Sequence, residues 1–174
     1  DGRCTASDGS VRLQGFPGGT GIRRAYASAY DPGKDTRYFP GSFTDTRSNL
    51  LISSGFAEIN LHDSSGDKVT NLSSAVSVRF RADEAFWPNL RDLRADSGCL
   101  EVPRYTLDED RADWVTEADG RLESEDGNRI PEEDFASIQD GSYTDPVFVA
   151  FETKHFSTFN CDAPVNERGC VKGC

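Results

Sequence analysis

The sequence predicts an all-β fold, an antiparallel β-sandwich with long loops, stabilised by disulfides. Three observations predict it. Apolar and polar residues alternate with period two in several short stretches, Val76–Arg81 being the cleanest. Sixteen glycines and eight prolines cut the 174 residues into short pieces separated by turns. Five cysteines stand in a chain with only two histidines, which reads as an oxidised framework rather than a metal site.

Taken in order, residues 1–20 are polar and glycine-rich and show little periodicity. Tyr26–Tyr30 alternates weakly and runs into the turn Asp31-Pro32-Gly33. Tyr38–Phe43 is extended, because Pro40 disfavours helix at Phe39. Ala57–His62 alternates as a half-buried strand does, and a turn through Gly66 follows. In Val76–Arg81 the inward face is Val76, Val78 and Phe80, and the outward face is Ser77, Arg79 and Arg81. Leu100–Tyr105 and Trp114-Val115 are further strands. Val147–Phe151 is a continuous apolar run of strand length, which predicts burial on both faces. His155–Asn160 alternates again, with Phe156 and Phe159 out of strict register. Segments 84–97 and 131–139 have room for one helical turn each. The chain divides into an N-terminal segment 1–37, a sandwich domain 38–160 and a Cys-rich tail or linker 161–174. Whether 1–37 joins the sheets is open at this level.

Charge is unevenly spread. Residues 101–145 hold fifteen acidic residues against four arginines and no lysine, which accounts for the whole net charge of −11. The stretch reads as a solvated acidic insertion that offers a face to Ca²⁺ or a mineral surface. Such a surface repels nucleic acid and anionic lipid, so neither is expected as a partner. No apolar run is long enough to span a bilayer, so no membrane insertion is expected. Asp1-Gly2-Arg3-Cys4 lacks signal-peptide character and reads as a mature end left by processing.

The cysteines are Cys4, Cys99, Cys161, Cys170 and Cys174. Zinc sites need closely spaced ligand pairs, which these spacings do not supply. Cys4, Cys99, Cys161 and Cys170 are expected in disulfides of open pairing, with Cys174 unpaired or intermolecular. That framework implies a secreted, extracellular protein. One glycosylation sequon, Asn71-Leu72-Ser73, follows a turn-like segment.

Candidates for chemistry are few. No phosphate loop, EF-hand or Gly-x-Ser-x-Gly elbow is present. Asp108, Asp110 and Asp113 form a candidate Ca²⁺ set, and Ca²⁺ is the one cofactor the sequence suggests. The sharper motif is His155-Phe156-Ser157. If the Phe156–Ser157 bond is strained, Ser157 Oγ attacks the Phe156 carbonyl carbon and the acyl group moves from N to O. His155 takes the hydroxyl proton, and water hydrolyses the ester. If the bond is an ordinary planar amide, it resists attack. His155 and Ser157 then share one strand face while Phe156 packs inward.

This tripeptide resembles the self-cleavage sequence of ZU5-type domains and some nucleoporins, and more loosely the His-Leu-Ser/Thr site of GAIN domains. That resemblance implies Ser157 as nucleophile, His155 as base and a cut after Phe156. A wider set of motifs runs from Phe39-Pro-Gly-x-Phe43 through Gly55-Phe-Ala-Glu-Ile59, Val102-Pro-x-Tyr105 and Trp114-Val-x-Glu117 to His155-Phe-Ser-x-Phe-Asn160-Cys-Asp162. It resembles the β-rich extracellular region of the cartilage intermediate layer protein family and of bacterial surface proteins. The resemblance implies a matrix or cell-surface role, with no active site to transfer. Partners are then other extracellular proteins or further domains of the same precursor. Two expectations follow: a non-catalytic structural or adhesive module, or a single-turnover domain that cuts itself.

Overall fold

The computed structural model describes residues 2–6, 9–16, 21–31, 34, 37, 40–41, 44–47, 50–82, 84, 87, 94–96 and 98–165. Thirteen strands run in chain order. They are β1 (Gly2–Thr5), β2 (Val11–Phe16), β3 (Arg24–Tyr30), β4 (Leu50–His62), β5 (Lys68–Val69), β6 (Asn71–Arg81) and β7 (Arg94–Asp96). Then come β8 (Cys99–Val102), β9 (Arg104–Asp108), β10 (Asp113–Thr116), β11 (Gly120–Glu123), β12 (Phe148–His155) and β13 (Thr158–Val165). A 3-10 turn, Glu132–Asp134, leads into a short helix, α1 (Phe135–Asp140).

The named strands pair antiparallel throughout and form two sheets. One has seven strands in the order β1-β2-β6-β12-β11-β8-β7. The other runs β10-β9-β13-β4-β3, with β5 also on β4. Segment 1–37 therefore supplies strands to both sheets.

The alternation explains how the sheets face each other. Val76, Val78 and Phe80 are fully buried, as the period-two pattern requires. Register places Phe80 beside Val11 and Val149, and Val78 beside Leu13 and Phe151. These six side chains form one apolar layer of the main core. Ala57, Ile59 and Leu61 of β4, with Phe159 and Cys161 of β13, complete it from the second sheet. The run Val147–Phe151, predicted as a strand buried on both faces, is buried and forms the start of β12 from Phe148 on, whereas Glu152 to His155 are largely exposed. Val149 and Phe151 face the core, while Phe148, 2% exposed, lies on the other face beneath the guanidinium groups of Arg12 and Arg79.

The outer face of the second sheet carries a smaller cluster of Leu51, Phe56, Tyr105, Leu107 and Trp114. Tyr30 stacks on Phe56 with ring centroids 4.8 Å apart. A register shift between Cys161 and Asp162 marks a bulge in this sheet. Gly55, across from Cys161, has a φ of +153°, a conformation open in practice only to glycine.

One expectation is corrected and a second finds no support. The acidic stretch is not a solvated insertion, since β9 to β11, the 3-10 turn and α1 all lie within it. Its apolar residues, among them Trp114, Leu122, Ile130 and Ile138, are buried, while Glu109, Asp110, Glu125 and Asp126 stand exposed at turns. The described residues also contain no disulfide. Cys99 and Cys161 are both thiols, one half-buried on β8 near an edge of the first sheet, the other inside the core on β13. They belong to different sheets, so the disulfides expected of them are not supported, and the two sheets meet through apolar packing. The side chain of Cys4, and Cys170 and Cys174, lie outside the described residues.

Segment 131–139 does contain a short helix, whereas most of 84–97 and of Tyr38–Phe43 lies outside the described residues. No helix among the described residues is long and apolar enough to cross a membrane.

Candidate interaction and self-processing site

Phe156 and Ser157 join β12 to β13, and those strands belong to different sheets. This explains the broken alternation at His155–Asn160, because the chain changes layer there. Neither side of the sequence-level alternative describes the outcome fully. His155 is exposed, while both Phe156 and Ser157 are buried, at 1% and 3% exposure. Phe156 belongs to the main core.

Hydrogen bonds fix this crossover from several elements. The Phe156 N–H donates to the Thr70 carbonyl at 2.7 Å, and the Ser157 carbonyl accepts from the Ile59 N–H at 3.2 Å. Ser157 Oγ lies 3.2 Å from the Leu107 carbonyl oxygen and 3.1 Å from Glu109 Oε1, two acceptors for its one proton. Lys68 Nζ donates to the same Glu109 carboxylate at 3.0 Å. That hydrogen bond from Lys68, with its charge, the Ser157 hydroxyl and His155, holds the Glu109 carboxyl below its ordinary range. The His155 ring points Nδ1 at Asn71 Oδ1, 3.3 Å away. Among the described residues all peptide bonds are trans, and Ala112 alone among non-glycine residues has positive φ. The Phe156–Ser157 link thus shows neither of those two forms of strain.

The crossover forms one wall of a cleft of about 400 Å³. Thr106 to Asp110 form a second wall, and Val115 of β10 with Glu117 just beyond its end a third. The inner face of β10, an edge strand, is open to solvent there, which leaves Val115 40% exposed. Arg104, on the same side of β9, is buried with its guanidinium 4.2 Å from the centre of the Phe151 ring. Burial lowers its pKa, against the charge of Glu117.

The predicted calcium residues do not converge. Asp108 Oδ1 accepts the N–H groups of Asp110 and Arg111, capping the β9–β10 turn. Asp113 pairs with Asp108 across the two strands, so the three carboxylates belong to one hairpin. Among the described residues no three His, Cys, Asp or Glu side chains are gathered as a metal would need. Asn71 is exposed, as a glycan acceptor must be.

Sequence reasoning singled out Ser157 and His155 but not Glu109 and Lys68 beside them. Glu109 lies 48 residues from Ser157, and only the packing of the β9–β10 turn against the crossover brings them together. No protein-family model, curated protein or solved structure matches the chain.

Proposed function

We propose that this chain is a non-catalytic extracellular structural or adhesive module in which His155-Phe156-Ser157 ties two sheets together. One observation carries the reading: the polar groups of the motif are used to hold the crossover. The Phe156 N–H, the Ser157 carbonyl and the Ser157 hydroxyl all contact neighbouring strands or their turns. His155 contacts Asn71 instead of the hydroxyl of the proposed nucleophile. A carboxylate held below its ordinary range is also a weak proton acceptor, so Glu109 is better suited to anchoring Ser157 than to activating it. Secretion and a glycan on Asn71 belong to the same proposal. The acidic turns are the surface offered to Ca²⁺ or to a mineral phase, as a diffuse contact spread over several turns.

A second reading rests on the Ser157–Glu109 contact. In it, Ser157 Oγ attacks the Phe156 carbonyl carbon, its proton passes through Glu109 or His155 to the Ser157 nitrogen as the C–N bond breaks, and water hydrolyses the resulting ester to the Phe156 carboxylate and the free Ser157 hydroxyl. Intact mass of the mature protein under denaturing, reducing conditions separates the two. The structural reading expects one chain spanning Phe156–Ser157. A C-terminal fragment beginning at Ser157, abolished by Ser157→Ala, would establish self-cleavage instead.

A further inference from the structure

We infer that the β3–β4 edge, on the surface of Arg23, Arg24, Tyr26 and His62, is a binding site for an anionic, sulfate-bearing polysaccharide. A polar concavity of about 500 Å³ lies there, bounded by these residues and by the turn Asp63–Gly66. Arg23 and Arg24, both exposed, border it. Arg12, Arg79, Arg81, Arg104, Arg121 and Arg129 each have a carboxylate oxygen within 4 Å, whereas Arg23 and Arg24, like the separate Arg3 and Arg47, have none among the described residues, and only Arg23 and Arg24 are adjacent. In a chain with thirty acidic residues, two adjacent arginines left in this state form a cationic surface open to a ligand. Guanidinium forks match the oxygens of sulfate and carboxylate groups.

The rest of the surface fits a sugar chain. Tyr26 is 55% exposed, the most exposed of the large apolar side chains described, and it stands on the same face of β3 as Arg24. Its ring meets the His62 ring at a near-right angle, with centroids 5.7 Å apart, and its exposure leaves ring surface to stack on a pyranose ring. Register sets Arg24 opposite His62 across β3 and β4. His62 Nδ1 donates to the Gly66 carbonyl at 3.1 Å, which fixes the ring. Ser64 and Ser65 add hydroxyls at the turn. The nearby carboxylate of Asp63 is already engaged, since its Oδ1 accepts the N–H groups of Ser65 and Asp67.

The protein's negative charge does not forbid a polyanion here. The acidic hairpin β9–β10 ends the second sheet at the edge opposite β3. Where the turn of that hairpin reaches toward β4, its Glu109 is paired with Lys68, which stands opposite His62 across β4 and β5 and offsets its charge. The proposal stands whether or not the Phe156–Ser157 bond is cut.

The test is binding of the full chain to immobilised heparin near physiological salt, beside desulfated heparin, inorganic phosphate and vesicles containing phosphatidylserine. The expected result is binding to heparin that falls by about tenfold or more in Arg23→Gln/Arg24→Gln, since two charge-assisted contacts are lost. Tyr26→Ala is expected to weaken it by about fivefold, and Tyr26→Phe to leave it unchanged. Arg47→Gln, an exposed arginine elsewhere, controls for net charge and is expected to change affinity by less than about twofold. No heparin binding, or equal loss in Arg47→Gln and Arg23→Gln/Arg24→Gln, would overturn the site. Equal binding of phosphatidylserine vesicles, or displacement by millimolar phosphate alone, would overturn the polysaccharide assignment.

Discussion

Phe80→Ala is expected to destabilise the domain by about 3–5 kcal/mol, measured as a lowered midpoint in urea unfolding with an unchanged slope. Phe80 is fully buried, and its ring meets Phe151 edge-on at 6.2 Å between the two sheets. Its neighbours Val11 and Val149 are β-branched side chains fixed in adjacent strands, so the space left by the ring cannot collapse freely. Phe148 gives the internal comparison. It is almost as buried, but what covers it is the guanidinium groups of Arg12 and Arg79 at 5.1 and 4.7 Å from the ring. Those arms can relax and admit water, so Phe148→Ala is expected to cost about 2 kcal/mol, clearly less than Phe80→Ala. Equal losses would mean that the two faces of β12 are packed alike, against the layer order described.

Trp114→Ala is expected to have an effect of similar size, about 3–5 kcal/mol, from the other face of the second sheet. Trp114 is fully buried among Leu51, Phe56, Tyr105 and Leu107, although it sits on an edge strand. It also ties down the segment before β4, because Asp45 bridges to it and the Thr46 N–H donates to its carbonyl at 3.3 Å. Losing the indole should loosen β10, the strand whose opposite face lines the crossover cleft with Val115. Chemical unfolding of the variant checks the magnitude, and a loss below about 1 kcal/mol would show that the outer cluster contributes little.

Much of the sandwich was legible because burial leaves a period in the residues themselves. Val76, Val78 and Phe80 alternate with polar residues because one face of β6 is dry. Phe148 to Phe151 do not alternate because both faces of β12 are covered. The break at Phe156 was equally visible, but its cause was not, since alternation says nothing about which sheet the next strand joins. The acidic stretch was misread for a related reason. Its charges concentrate at turns and outnumber the single apolar residues, such as Leu122 and Ile138, that carry it into the core. Cysteine count suggested a clamp, yet Cys99 and Cys161 are thiols in different sheets. Site partners were least legible. Glu109 meets Ser157, and His62 meets Arg24, only through tertiary register.

Native-state hydrogen exchange at the amides of Phe156 and Ile59 tests most directly whether the crossover ties the sheets. These two N–H groups donate to the Thr70 and Ser157 carbonyls on either side of the link. The account expects both to exchange only through global unfolding, with the same protection as core amides of β6 and β12. Exchange of either one through local opening, at the rate of the exposed Asp63–Asp67 turn, would contradict it.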